Sequence, residues 1–185
     1  DPSMAARPYE NRDPRFAATI MPNNSTFQGR PVECWEGGAD GPDKNNASRT
    51  GYYLLKYVDP ELKLLQGQSA IHSWIIIRLG EIYLNYAEAM NEAYGPDAKG
   101  IYGKSAREAV NEVRGRVGMP DVVADSKEEM REKIRHERRV ELAFEDHRFW
   151  DVRRWMTAPD DLNAPLKGVK VTRLSYNSFE YQSVE

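Results

Sequence analysis

The chain has 185 residues, 40% of them hydrophobic, and a formal net charge of −3. That is enough apolar material for a core, and the mildly acidic balance argues against a dedicated nucleic-acid binder. Cys34 is the single cysteine, which excludes an intramolecular disulfide and any CxxC metal or redox motif.

Residues 1–70 are rich in chain breakers: Pro8, Pro14, Pro22, Gly29, Pro31, Gly37, Gly38, Gly41 and Pro42. Two apolar islands survive, Phe16 to Met21 and Tyr52 to Val58, and the second has strand propensity. Between them Glu36 to Ser48 is polar and aperiodic, the signature of a long surface loop. From Ser73 the pattern changes. Ile75, Leu79, Ile82, Tyr86, Met90 and Ala93 follow helical spacing, and Gly95-Pro96 ends the run. A second helix is expected from about Ser105 to Val117, with Ala106, Ala109, Val110, Val113 and Val117 on one side, and Gly118 and Pro120 stop it. Ser126 and Glu129 have capping-box spacing and open a third helix, expected to reach about Glu145 with a further piece to Trp155. Residues after Pro159 read as loop or short strand. The expected organisation is a loop-rich segment over 1–70, a helical scaffold over 71–156 and an irregular tail over 157–185, together one domain. Trp74 to Ile77 is the longest apolar run, far short of a membrane span. The opening Asp1-Pro2-Ser3-Met4 and the loop-like end at Glu185 suggest a piece of a longer protein.

The densest chemistry lies in Ile134 to Trp155. Wound as a helix, Ile134 and Phe144 fall within about 40° of Met130, and Glu137, Glu141 and Arg148 share that apolar sector. Buried carboxylates are costly unless paired. An ion-pair lattice is therefore expected, built from Arg78, Glu88, Glu137, Arg138, Glu141 and Arg148. A Glu137/Glu141 acid–base pair is the competing reading. It is disfavoured because such pairs usually face each other across a cleft, whereas here arginines crowd the same helix. His72, His136 and His147 form no HExxH spacing, and no GxSxG, P-loop or GxGxxG occurs. Phe149, Trp150 and Trp155 are expected in the core, with a sugar platform as the competing reading.

Five segments, taken in order, resemble the SusD/RagB family. They are Asn11 to Ile20 (NRDPRFAATI), Gly51 to Val58 (GYYLLKYV), Trp74 to Gly95 (WIIIRLGEIYLNYAEAMNEAYG), Ala106 to Pro120 (AREAVNEVRGRVGMP) and Ile134 to Trp155. Gly80 departs from the family's more usual Ala. The resemblance implies a mostly α fold of tetratricopeptide-like helix pairs with an irregular loop-rich part. It also implies non-catalytic glycan binding, or in some members peptide binding, at the outer-membrane surface of Bacteroidota. The implied partner is a TonB-dependent transporter. The implied membrane attachment is a lipid anchor that this chain does not carry, since Cys34 is internal. No cofactor or metal is called for.

Within the loop, Trp35 stands among Glu33, Glu36, Gly37 and Gly38 with no periodic apolar face to bury it. It serves either as a pyranose-stacking platform or as a plug under its own loop. Asn45, Asn46 and Arg49 are suited to sugar hydroxyls, and Phe27 is a second aromatic candidate. Asp13, before Pro14, is expected to pin its turn, with cation coordination as the competing reading. Asp40 and Asp43 flank a Gly-Pro turn and have the chemistry, though not the EF-hand spacing, for calcium. A glycan-degrading hydrolase and a protein-interaction scaffold are the competing function classes.

Overall fold

The computed structural model describes residues 7–185. They form two compact units: the chain up to Ile71 together with Asp160–Glu185, and His72–Pro159. The expected tail is thus part of the same unit as the loop-rich segment.

In the first unit a one-turn helix, α1 (Arg15–Thr19), leads into β1 (Ile20–Met21). Asp13 pins this entry, accepting from the Arg15 backbone N–H at 2.9 Å and from its guanidinium at 2.9 and 2.6 Å. Next come β2 (Thr26–Phe27), β3 (Arg30–Pro31) and β4 (Tyr53–Leu54), and β1 pairs antiparallel with β4 while β2 pairs with β3. A 3-10 turn follows at Leu64–Gln66. Of the strand expected over Tyr52 to Val58, only Tyr53 and Leu54 pair.

The second unit is helical: α2 (Leu79–Tyr94), α3 (Ala106–Gly115), α4 (Lys127–Glu141) and α5 (His147–Arg154). Its core is Ala87, Met90, Ala106, Ala109, Val110, Val122, Ala124, Met130 and Ile134. Alanines at facing positions let the helices approach closely. The first helix starts later than its periodicity suggests, with Arg78 as an extended N-cap at φ −140°. The β-branched run Ile75 to Ile77 loses side-chain freedom in a helix, and these residues stay outside it and exposed. Ser105 and Glu108 form a complete capping box at the start of α3. At α4 only half of the expected box closes: Ser126 accepts from the Glu129 N–H, but Glu129 accepts from the Asp125 N–H.

After α6 (Ala158–Asn163), β5 (Gly168–Ser175) and β6 (Ser178–Val184) make the longest ladder in the molecule's described residues. The irregular tail expected there is thus largely a regular hairpin. Its alternation is plain once the register is known. Val169 and Val171 point inward, joined by Phe179 and Tyr181, onto Met21, Val32, Cys34 and Trp35. Gly51, at φ +72°, lets β5 pass close by, since a Cβ there would lie 2.1 Å from the Val169 carbonyl oxygen. The chain belongs to the mostly α class expected. Among the described residues no helix is long and apolar enough to cross a membrane.

Candidate functional site

The loop from Glu33 to Thr50 folds around Trp35 and is stapled from within. Arg30 grips Asp40 with two hydrogen bonds, at 2.6 and 2.7 Å, and the Glu33 N–H donates to the same carboxylate at 2.9 Å. That guanidinium, with the Glu33 amide, holds the Asp40 carboxyl below the usual carboxylate range. Asp43 accepts from the Lys44 ammonium and the Gly37 N–H, which lower its pKa in the same way. The Ala39 N–H donates to Glu33. Tyr53 joins the two limbs of the loop: its hydroxyl donates to the Asp40 carbonyl at 2.8 Å and accepts from the Ser48 N–H at 3.0 Å. Gly38 and Gly41 permit the tight wrap, because a Cβ at Gly41 would meet the Trp35 carbonyl oxygen at 2.1 Å. Asp40 and Asp43, considered for calcium from the sequence, therefore serve the loop itself. The described residues contain no group of three or more metal-ligating side chains.

Trp35 is the plug of this loop. Only 9% of it is exposed. Phe179 lies against its ring at 5.2 Å with a 31° tilt, and the Arg173 guanidinium sits 5.0 Å from its centroid. These neighbours come from the terminal hairpin, more than a hundred residues away in sequence, so no local pattern could reveal them. A ring this buried leaves little surface open to a sugar, which favours the plug over the stacking platform for Trp35. Cys34 is buried beside it, its amide donating to Asn23, and burial pushes its thiol up to about 12. It is not a nucleophile.

The other loop candidates lie on the outside. Asn45, Asn46 and Arg49 are exposed, and none of them makes a side-chain hydrogen bond or ion pair among the described residues. Asn46 holds φ +62°, a left-handed position that asparagine tolerates. Phe27 is half-buried, packed on the Trp35 cluster by one part and lining a groove of about 580 Å³ by another.

In the helical unit the charges pair, though not always as the sequence suggests. Glu137 is 2% exposed and accepts from Arg114 at 2.7 Å. Glu141, 3% exposed, accepts from Arg78 at 2.6 Å and from Arg116 at 2.9 Å. Arg78 also clamps Glu145 through two bonds of 2.7 Å. These carboxylates, Glu145 first, raise its pKa above the ordinary guanidinium value. Gly80 belongs to this arrangement, because a Cβ there would fall 2.6 Å from the Arg78 guanidinium and 3.1 Å from Glu141. Arg138 pairs with buried Asp151 at 3.0 and 3.1 Å and donates to Asn85. Glu88 receives Arg154 and the Trp155 indole N–H. Arg114, Arg116, Glu145 and Asp151 are lattice members that the sequence did not single out. Arg148 lines a pocket of about 520 Å³ with Phe144, Phe149 and Trp150.

Those aromatics are not in the core of the described residues. The helix stops at Glu141 and Phe144 turns out at φ +63°, so helical phase cannot be carried past that point. In the short α5 only Asp151 and Val152 are buried, and Trp150 is 66% exposed. Glu137 and Glu141 line neither this pocket nor the Phe27 groove. Each is held by guanidinium groups, which is the chemistry of a structural anion.

A tight helix-pair scaffold laced by buried ion pairs, with a separate loop-rich module closed by a hairpin, defines the class of protein. Residues 2–185 match the model of the SusD family, and the chain belongs to that family. It is similar to a solved SusD-like protein from Bacteroides fragilis, at 36% identity and a TM-score of 0.77, over 96% of this chain and 34% of that one. It is also similar to a SusD-like carbohydrate binding protein of the same organism, at 32% identity and a TM-score of 0.72, over 92% of this chain and 34% of that one. The chain thus spans about a third of the length of these structures. No curated protein matches it.

Proposed function

We propose that this chain is part of a cell-surface protein of the outer membrane that captures oligosaccharides without cleaving them and passes them to a TonB-dependent transporter. The observation that carries the reading is the loop: its internal carboxylates and Tyr53 are spent on holding it, while Asn45, Asn46 and Arg49 stand outside unengaged. A rigid loop that displays amide and guanidinium groups is suited to sugar hydroxyls, and its rigidity lowers the entropy lost on binding. Family membership and the carbohydrate-binding relative support the same ligand class. A binding role without catalysis is supported by the state of Glu137 and Glu141, both buried and bound to arginine. Handover to a transporter rests on the family resemblance.

Calorimetric titration of the full-length protein against polysaccharide digests, with reducing-sugar release followed in parallel, tests this. Saturable binding without product, weakened by combined Asn45→Ala, Asn46→Ala and Arg49→Ala, is expected. Release of product would return the glutamate pair to consideration as catalysts. Binding of peptides alone would move the protein to the peptide-binding members.

A further inference from the structure

The groove beside Phe27 carries features that the loop does not. One wall is the tip of the β2–β3 hairpin, with Phe27 and Gln28. The other is the segment Tyr57 to Gln66. Two of its residues, one on each wall, hold left-handed backbone without being glycine: Gln28 at φ +48° and Tyr57 at φ +68°. For a residue as bulky as tyrosine this conformation is strained, and strain of this kind concentrates at ligand sites. Gln28 is fixed across the groove by donating its side-chain N–H to the Leu62 carbonyl at 3.0 Å. Its own amide oxygen has no partner among the described residues. The Lys63 ammonium and the Gln66 amide likewise engage nothing among the described residues.

We propose that this groove holds one neutral pyranose unit of the captured glycan. The apolar C–H face of the sugar lies on the Phe27 ring and on the groove side of the Tyr57 ring, whose centroid is also 5.8 Å from the Lys56 ammonium, and its hydroxyls meet Gln28, Asp59, Lys63 and Gln66. The proposal rests on the glycan-capture reading above. A volume of about 580 Å³ is within the range of small-ligand sites. The lining chemistry selects the ligand: aromatic and leucine surface for an apolar face, amides for hydroxyls, and one carboxylate against one ammonium, Asp59 against Lys63, for a ligand without net charge. Of the tryptophan, tyrosine and arginine enriched at the centre of protein interfaces, its lining holds Tyr57 alone.

Tyr57→Gly separates strain from binding. Glycine accepts the left-handed backbone freely and removes the ring. The full-length variant is therefore expected to melt at the same or a higher temperature, yet bind neutral malto-, cello- or manno-hexaose about tenfold or more weaker than wild type by calorimetry. Wild-type affinity in Tyr57→Gly overturns the groove while leaving glycan capture standing. Tighter binding of oligogalacturonate than of every neutral hexasaccharide overturns the neutral class. No saccharide binding by the wild type removes the capture reading and the groove with it. Should Tyr57→Gly melt lower, the pair Lys63→Ala and Gln66→Ala supplies the same test. Weakened binding at unchanged melting temperature supports the groove, and unchanged binding overturns it.

Discussion

The two units keep their shape by opposite means. The helical unit buries charge: Glu137, Arg138, Glu141 and Glu145 lie inside it, and each pairs with a partner from another part of the unit or the chain near it. The loop-rich unit keeps most charge at its surface and relies on a small aromatic core with many side-chain-to-backbone bonds. A buried ion pair fails badly when one partner is lost, because the other is left desolvated. A surface staple fails mildly, because water replaces it. The contrast therefore predicts where mutations hurt stability and where they are free to alter binding.

The largest effect is expected from Glu141→Ala, which removes a buried carboxylate bonded to both Arg78 and Arg116, leaves Glu145 as the only carboxylate shown on Arg78 and costs about 4 kcal/mol. Urea denaturation measures it, and a loss near zero would mean that the lattice is decorative. Trp35→Ala comes next, at about 3 kcal/mol for removing a packed aromatic from a core. Its stability should fall while the affinity of the folded fraction for glycan holds. The reverse pattern would restore Trp35 as a platform. Tyr53→Phe removes one hydroxyl that serves both Asp40 and Ser48 and should cost about 1 kcal/mol, read as faster hydrogen exchange across residues 40–48.

Acid gives the smallest effect. Asp40 has a folded pKa held below its unfolded value of about 3.9, chiefly by Arg30. The stability it contributes is therefore complete above that unfolded value and is lost as pH falls through the lower folded one. The Glu33 amide resonance, which reports the bond to Asp40, should stay constant from neutral pH to about 4 and shift below it. Asp40→Asn should abolish that step.

Much of the helical unit was legible in the sequence because its contacts are local and periodic. The stripe Ala106, Ala109, Val110 and Val113, the stop at Gly118-Pro120 and the Ser126 cap can be read from spacing alone. That Glu137 and Glu141 need partners was also legible. Which arginines serve them was not, because Arg114 and Arg116 come from another helix's end and two-dimensional phase says nothing of that. In the loop-rich unit legibility was lower. Trp35 sits in a polar tract, and its burial depends on Phe179 and Arg173 from the distant hairpin. Tyr57 drew no attention because nothing in its local sequence announces a left-handed tyrosine. Asn45, Asn46 and Arg49 were picked out by chemistry alone, and their exposure agrees with that choice without testing it.

The central claim is a division of labour: ion pairs of the helical unit hold the protein, and the outer surface of the loop unit meets the ligand. The most direct test measures glycan affinity and melting temperature together, in full-length protein, for the combined Asn45→Ala, Asn46→Ala and Arg49→Ala variant and for Glu141→Ala. The account predicts that the loop variant loses affinity at an unchanged melting temperature, and that Glu141→Ala loses several degrees while binding normally below its transition. A loop variant that binds like wild type, or a Glu141→Ala protein that is fully stable yet cannot bind, would contradict it.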